Sequence, residues 1–108
     1  MNINIYSKGR LNYYDAKGIY DGKGVTVKKG SIISEKLAEK VNPIVRRMRE
    51  NRDIVSDENV TLVDVKFRSP STAATFISGN ISNGLRVWKV KEGMDLKTYL
   101  EEEENGRH

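Results

Sequence analysis

The residues with chemical reach in this chain are carboxylates, tyrosines and arginines. Asp15 and Asp21 lie close in sequence to Tyr13, Tyr14 and Tyr20, and Asp64 follows later. Carboxylates alone can hold a hard cation such as magnesium or calcium. No spacing among these three matches a ligand pattern, however, and isolated acids are ordinarily surface residues. The chain has no cysteine, which removes thiolate nucleophiles, disulfides, thiol-bound zinc and iron–sulfur clusters together. Its one histidine, His108, is the last residue. The expectation is a protein that is not an enzyme, with no cofactor and no metal.

Residues 17–24 read KGIYDGKG and pose the sharpest question. A phosphate-cradling loop needs G-x-x-x-x-G-K-[ST] between a strand and a helix, so that the helix N-terminus faces the anion. Here the glycines lie between two strand-like runs. Asp21-Gly22 instead supplies the backbone freedom of a tight hairpin turn. Gly18-Ile19-Tyr20 spells half of the GIY-YIG nuclease signature, but no Tyr-Ile-Gly follows Tyr20. The tripeptide reads as coincidence.

Cations remain. Residues 1–91 hold 17 of the 19 Lys and Arg but 9 of the 15 Asp and Glu, a net +8; residues 92–108 carry a net −4. A basic body with an acidic tail suits a polyanion-binding domain, and it also suits a merely solvated surface. Arg46, Arg47, Arg49 and Arg52 form a candidate phosphate-binding patch on one helix. Arg68, Ser69 and Ser71 surround a helix start whose N–H groups could meet a phosphate. Asn83, Arg86, Trp88 and Lys89 extend the candidate nucleic-acid surface. Trp88 has two readings, a core residue, which its size favours, or a stacking platform for a base.

These residues need elements to position them. NINIY alternates polar and apolar over residues 2–6 and predicts a strand. Residues 11–20 predict a second strand, broken by a bulge near Lys17-Gly18, and residues 25–33 a third. Asn42 caps and Pro43 opens a helix over about 43–53, whose apolar stripe is Ile44, Val45 and Met48. Residues 34–41 read as a weaker helical turn or a loop. Residues 60–67 predict a strand in which Val60, Leu62, Val63 and Val65 compete for the buried face, with the register left open. Ser69 caps a helix over 70–78 that stops at Gly79. Residues 85–90 alternate as a strand, and 95–104 form a last helix. The predicted core is Ile3, Ile5, Val25, Val27, Ile44, Val45, Met48, Leu62, Val65, Ala73, Ala74, Phe76, Ile77, Val87 and Trp88.

The stretch SPSTAATFISGNISNGLRVWKV resembles a bacterial family of small domains of unknown function, often found C-terminal to GIY-YIG nuclease-type proteins. The positions that carry the resemblance are Ser69, Pro70, Ser71, Ala73, Ala74, Gly79, Asn83, Gly84 and Trp88. The upstream segment AKGIYDGKGVTVKKGSIIS resembles the same family's glycine-rich opening hairpin. The second motif is also similar to the restriction-and-methylase-associated domain, for which modified-DNA recognition is proposed. That family carries an aromatic residue directly after Asn-Gly, where this chain has Leu85. Neither resemblance implies catalysis.

The sequence thus predicts a small single α+β domain over residues 1–98 with an acidic tail over 99–108. An N-terminal antiparallel β-meander leads to a helix, then a strand–helix–strand unit and a short C-terminal helix. The function expected is a non-catalytic accessory domain associating with DNA or RNA; the alternative is a protein-interaction module positioning a partner. No apolar run approaches the ~20 residues that span a membrane, and MNINIYSKGR lacks a signal-peptide core. The expected location is the cytoplasm.

Overall fold

The structure, a computed structural model, describes residues 1–106. His108 lies outside them. The order of elements is β1 (Ile3–Gly9), β2 (Tyr14–Tyr20), β3 (Val25–Val27), α1 (Pro43–Glu50), β4 (Val65–Phe67), α2 (Pro70–Ser78), α3 (Gly84–Val87), β5 (Lys89–Lys91), β6 (Met94–Asp95) and α4 (Leu96–Asn105). The fold is α+β, as the sequence predicts. Six strands form one antiparallel sheet in the order β4-β3-β2-β1-β5-β6.

Local turn chemistry builds the N-terminal meander. Between β2 and β3, Asp21 Oδ1 accepts hydrogen bonds from the amides of Lys23 (2.9 Å) and Gly24 (2.8 Å), while Gly22 takes a φ of 101°. The two loop amides that a phosphate would need thus hold the loop's own carboxylate. They keep the Asp21 carboxyl below its ordinary range, with Lys66 across the sheet adding to the effect. KGIYDGKG is therefore the end of β2 followed by a turn over residues 21–24. The predicted bulge at Lys17-Gly18 is absent: β1 and β2 pair without a break from Ile3↔Tyr20 to Gly9↔Tyr14.

Helices cover one face of the sheet, with α2 packed on β2, β3 and β4. Ala73 and Ala74 let α2 approach closely, and Phe76 stacks on Phe67 with ring centroids 4.9 Å apart. The core includes Ile5, Val25, Val27, Val45, Val65, Ile77 and Trp88 as predicted. It also takes Ala16, Tyr20, Ile33, Val55, Phe67 and Leu96.

Of the two readings for residues 34–41, the loop is found: they run as a strap, fixed where the Ser34 amide donates to Ile77 O and the Ala38 amide to Gly79 O. Three further expectations are corrected. The strand predicted over 60–67 is confined to 65–67, and Leu62 is exposed. Thr61 takes the inward place, because its hydroxyl donates to Lys28 O (2.9 Å) and accepts from the Ser31 amide (2.9 Å), contacts that leucine cannot make. In α1 the buried residues are Val45 and Arg49, one turn apart, while Ile44 faces outward. Finally, residues 84–87 form a helical turn instead of a strand, because Asn83 Oδ1 caps the Leu85 amide and the chain must fold Trp88 back beneath α2. Residues 99–105 of the expected tail are helical, belonging to α4. Among the described residues no helix is long and apolar enough to cross a membrane.

Candidate functional site

The residues that carry the Ser-Pro-Ser…Asn-Gly…Trp resemblance converge on each other. Ser69 Oγ accepts from the Thr72 amide (3.2 Å), Pro70 has no N–H, and the Ala73 amide donates to Ser69 O. Ser71 Oγ accepts the Gly84 amide (3.0 Å). Gly84 lies so close to α2 that a Cβ there would stand 2.1 Å from the carbonyl carbon of Pro70. The Trp88 indole N–H donates to Pro70 O (3.2 Å), and its ring is fully buried. Ser71, Gly84 and Trp88 therefore lock α2 to α3, while Ser69 and Asn83 cap the two helices. Trp88 is a core residue, and no base can stack on it.

The arginines do not form one patch. Arg49 points inward, 8% exposed, and donates to Ser34 Oγ (3.3 Å), Ser34 O and Phe76 O (2.6 Å). Burial, with the neighbouring charge of Arg46, lowers its pKa to about 10, so it stays cationic at neutral pH. Arg46 donates to the strap carbonyls Ala38 O (3.3 Å) and Glu39 O (2.9 Å). Arg52 holds Val55 O (3.1 Å) and Asp57 (3.3 Å). Arg47 and Arg68 are exposed.

Arg86 pairs with Asp95 at 3.2 Å, and Lys89 Nζ donates to Arg86 O. Asp95 also caps α4 by accepting the Thr98 amide at 2.8 Å. That bond above all, with Arg86 assisting, lowers its pKa to about 2. A carboxylate with a depressed folded-state pKa stabilises the fold above its ordinary pKa, and this is lost as pH falls through the folded value. Asp95→Asn keeps a capping oxygen but cannot ionise. Its thermal midpoint should fall less than that of the native chain between about pH 4 and pH 2. Parallel midpoint curves would place the acid sensitivity elsewhere.

The sheet's other face is open, and spacing along the sequence does not reveal what assembles there. Tyr6 pairs with Lys17 on one side and with Lys89 on the other, and the Lys28 amide bonds to Lys17 O. Residues paired across antiparallel strands share a face. The row Lys89–Tyr6–Lys17 therefore crosses β5, β1 and β2 and continues to Lys28, just past β3, on the side opposite Ile5. The adjacent row is Asn4–Ile19–Thr26–Lys66. Tyr6, Lys17, Ile19, Lys28 and Val90 line a shallow hollow of about 340 Å³. Three lysines of this face meet carboxylates: Lys8 with Asp15 (3.9 Å), Lys28 with Asp64 (2.8 Å) and Lys66 with Asp21 (3.6 Å). Among the described residues, Lys17 and Lys89, which flank Tyr6, have no carboxylate partner. Positive charge is thus in excess beside the Tyr6 ring.

A family model described as a domain of unknown function, DUF4357, matches residues 5–100. The chain belongs to the DUF4357 family. No curated protein and no solved structure matches it. The DUF4357 match runs from β1 into α4 and so takes in both the α2–α3 lock and the open sheet face. In this DUF4357 domain the candidate acids Asp15, Asp21 and Asp64 each pair with a lysine. Among the described residues no three His, Asp or Glu come together as a metal site would require.

Proposed function

We propose that this DUF4357 domain is a non-catalytic accessory module that associates with nucleic acid through the open face of its sheet. The observation that supports this is Tyr6 set in register between Lys17 and Lys89, two cations without carboxylate partners. A polyanion laid on this face releases counterions as lysines meet phosphates, which drives association without sequence readout. Of the cations marked in the sequence, Arg47, Arg52, Arg68 and Arg86 are exposed and Lys89 is half-buried; Arg52 and Arg86 are paired with Asp57 and Asp95, and Arg68 sits at the end of β4. The resemblance to domains that accompany GIY-YIG nucleases suits a cytoplasmic, DNA-processing or restriction-type setting in which the module tethers a partner enzyme.

Fluorescence polarisation with labelled duplex DNA, single-stranded DNA and RNA tests this. Affinity should fall steeply with salt, with a log–log slope of roughly 0.7 to 0.9 per phosphate neutralised. Lys17→Ala with Lys89→Ala should weaken binding and flatten the slope by about 1 to 2. No salt-sensitive binding to any polymer would overturn the proposal and favour a protein-interaction module. One observation supports that second reading: Leu11 is fully exposed and Tyr13 is 55% exposed at the tip of the β1–β2 hairpin.

A further inference from the structure

We infer that the open sheet face takes a single strand of nucleic acid, with Tyr6 stacking on one unpaired base; this rests on the nucleic-acid reading above. The chemistry of the face is mixed in a way that a duplex would not use. Its hollow joins an aromatic ring, Tyr6, and the aliphatic side chain of Ile19 to the cations Lys17 and Lys28. Tyr6 and Ile19 stand on the face away from the core and take no part in the core's packing. A duplex presents phosphates and base edges outward and keeps its base faces stacked inside. A single strand presents both its phosphates and the flat faces of its bases, and aromatic side chains on a basic surface bind it by stacking.

The geometry suits one stacked base with phosphates on either side. Neighbouring strands lie about 4.8 Å apart, so Lys89 and Lys17 flank Tyr6 with backbones roughly 10 Å apart. Lys28 continues the row just past β3, although Asp64 holds its ammonium at 2.8 Å. A strand crossing the sheet along this row would meet a cation, a ring and a second cation in turn. No hydrogen-bonding side chain in the row reads a base edge uniquely, so little sequence preference is expected.

The test compares one labelled oligonucleotide as a single strand, as its duplex, and against dextran sulfate as a polyanion without bases. The protein is the full chain, native and with Tyr6→Thr or Tyr6→Phe. Threonine preserves the strand propensity and removes the ring; phenylalanine preserves the ring. Single-strand affinity should exceed duplex affinity at physiological salt. Tyr6→Thr should weaken it by about tenfold and Tyr6→Phe by no more than about twofold. The duplex and dextran sulfate should be indifferent to Tyr6→Thr. Equal affinity for duplex and single strand, or a single-strand affinity that Tyr6→Thr leaves unchanged, overturns this inference while leaving the electrostatic function standing. No binding of any of the three polymers overturns both.

Discussion

Trp88→Ala should reduce the stability of the domain by about 3–5 kcal/mol, a large part of the 5–15 kcal/mol that a domain of this size possesses. The indole is wholly buried, and its N–H meets Pro70 O at 3.2 Å, at the point where α2 begins. Its ring edge also lies over Gly18 of β2, where a Cβ would sit 3.4 Å from the ring. The side chain thus joins the sheet, the start of α2 and the end of α3. Truncation loses its transfer free energy and leaves a cavity bounded by rigid elements that cannot collapse into it. Trp88→Phe keeps much of the volume and loses the N–H donor, so a smaller cost of ~1–3 kcal/mol is expected. Urea midpoints of the three proteins check the order. A Trp88→Ala midpoint within about 1 kcal/mol of the native one would mean that the family motif is not a packing device.

Most of what was legible in the sequence was local. Asp21-Gly22, Asn42-Pro43 and Ser69-Pro70 each announce a turn or a helix start by bonds within four residues, and each is found where predicted. The alternation of NINIY likewise places Tyr6 on the face opposite Ile5. What spacing could not show depended on register or on long-range bonds. Lys17, Lys28 and Lys89 belong to three separate segments and become neighbours of Tyr6 only through strand pairing. Thr61 goes inward, and Leu62 outward, because the turn at residues 28–31 offers backbone partners that no local pattern reveals. The residues after Asn83 alternate like a strand, yet the close contact of Gly84 with Pro70 forces them to coil. Four arginines in one helix suggested a ligand patch, and the inward direction of Arg49 was hidden for the same reason: its acceptors lie 15 and 27 residues away.

Arg49→Ala should cost about 3 kcal/mol, equivalent to a fall of roughly 12 °C in thermal midpoint. Among the described residues the guanidinium has no carboxylate partner. It is held by Ser34 Oγ, Ser34 O and Phe76 O, and so ties the strap to the C-terminal half of α2. Burying a cation is unfavourable in itself, which its lowered pKa reflects. Removing it, however, leaves buried carbonyl oxygens without donors, at about 1–3 kcal/mol each before relaxation. Arg49→Lys keeps the charge but lacks the planar fork that reaches Ser34 and Phe76 together, so it should recover only part of the loss. The strap should loosen most. Hydrogen exchange at the amides of Ser34 and Ala38, which bond to Ile77 O and Gly79 O, should accelerate more than exchange in β1 and β2. Uniform acceleration would mean that Arg49 supports the whole core equally. The same variant separates structure from binding. Arg49→Ala should weaken polymer binding only through the folded fraction, whereas Lys17→Ala should weaken binding while the midpoint stays within about 0.5 kcal/mol of native. Were Arg49→Ala to leave the midpoint unchanged and still reduce affinity, the guanidinium would have to be facing solvent, and the helix, not the sheet, would be the binding surface.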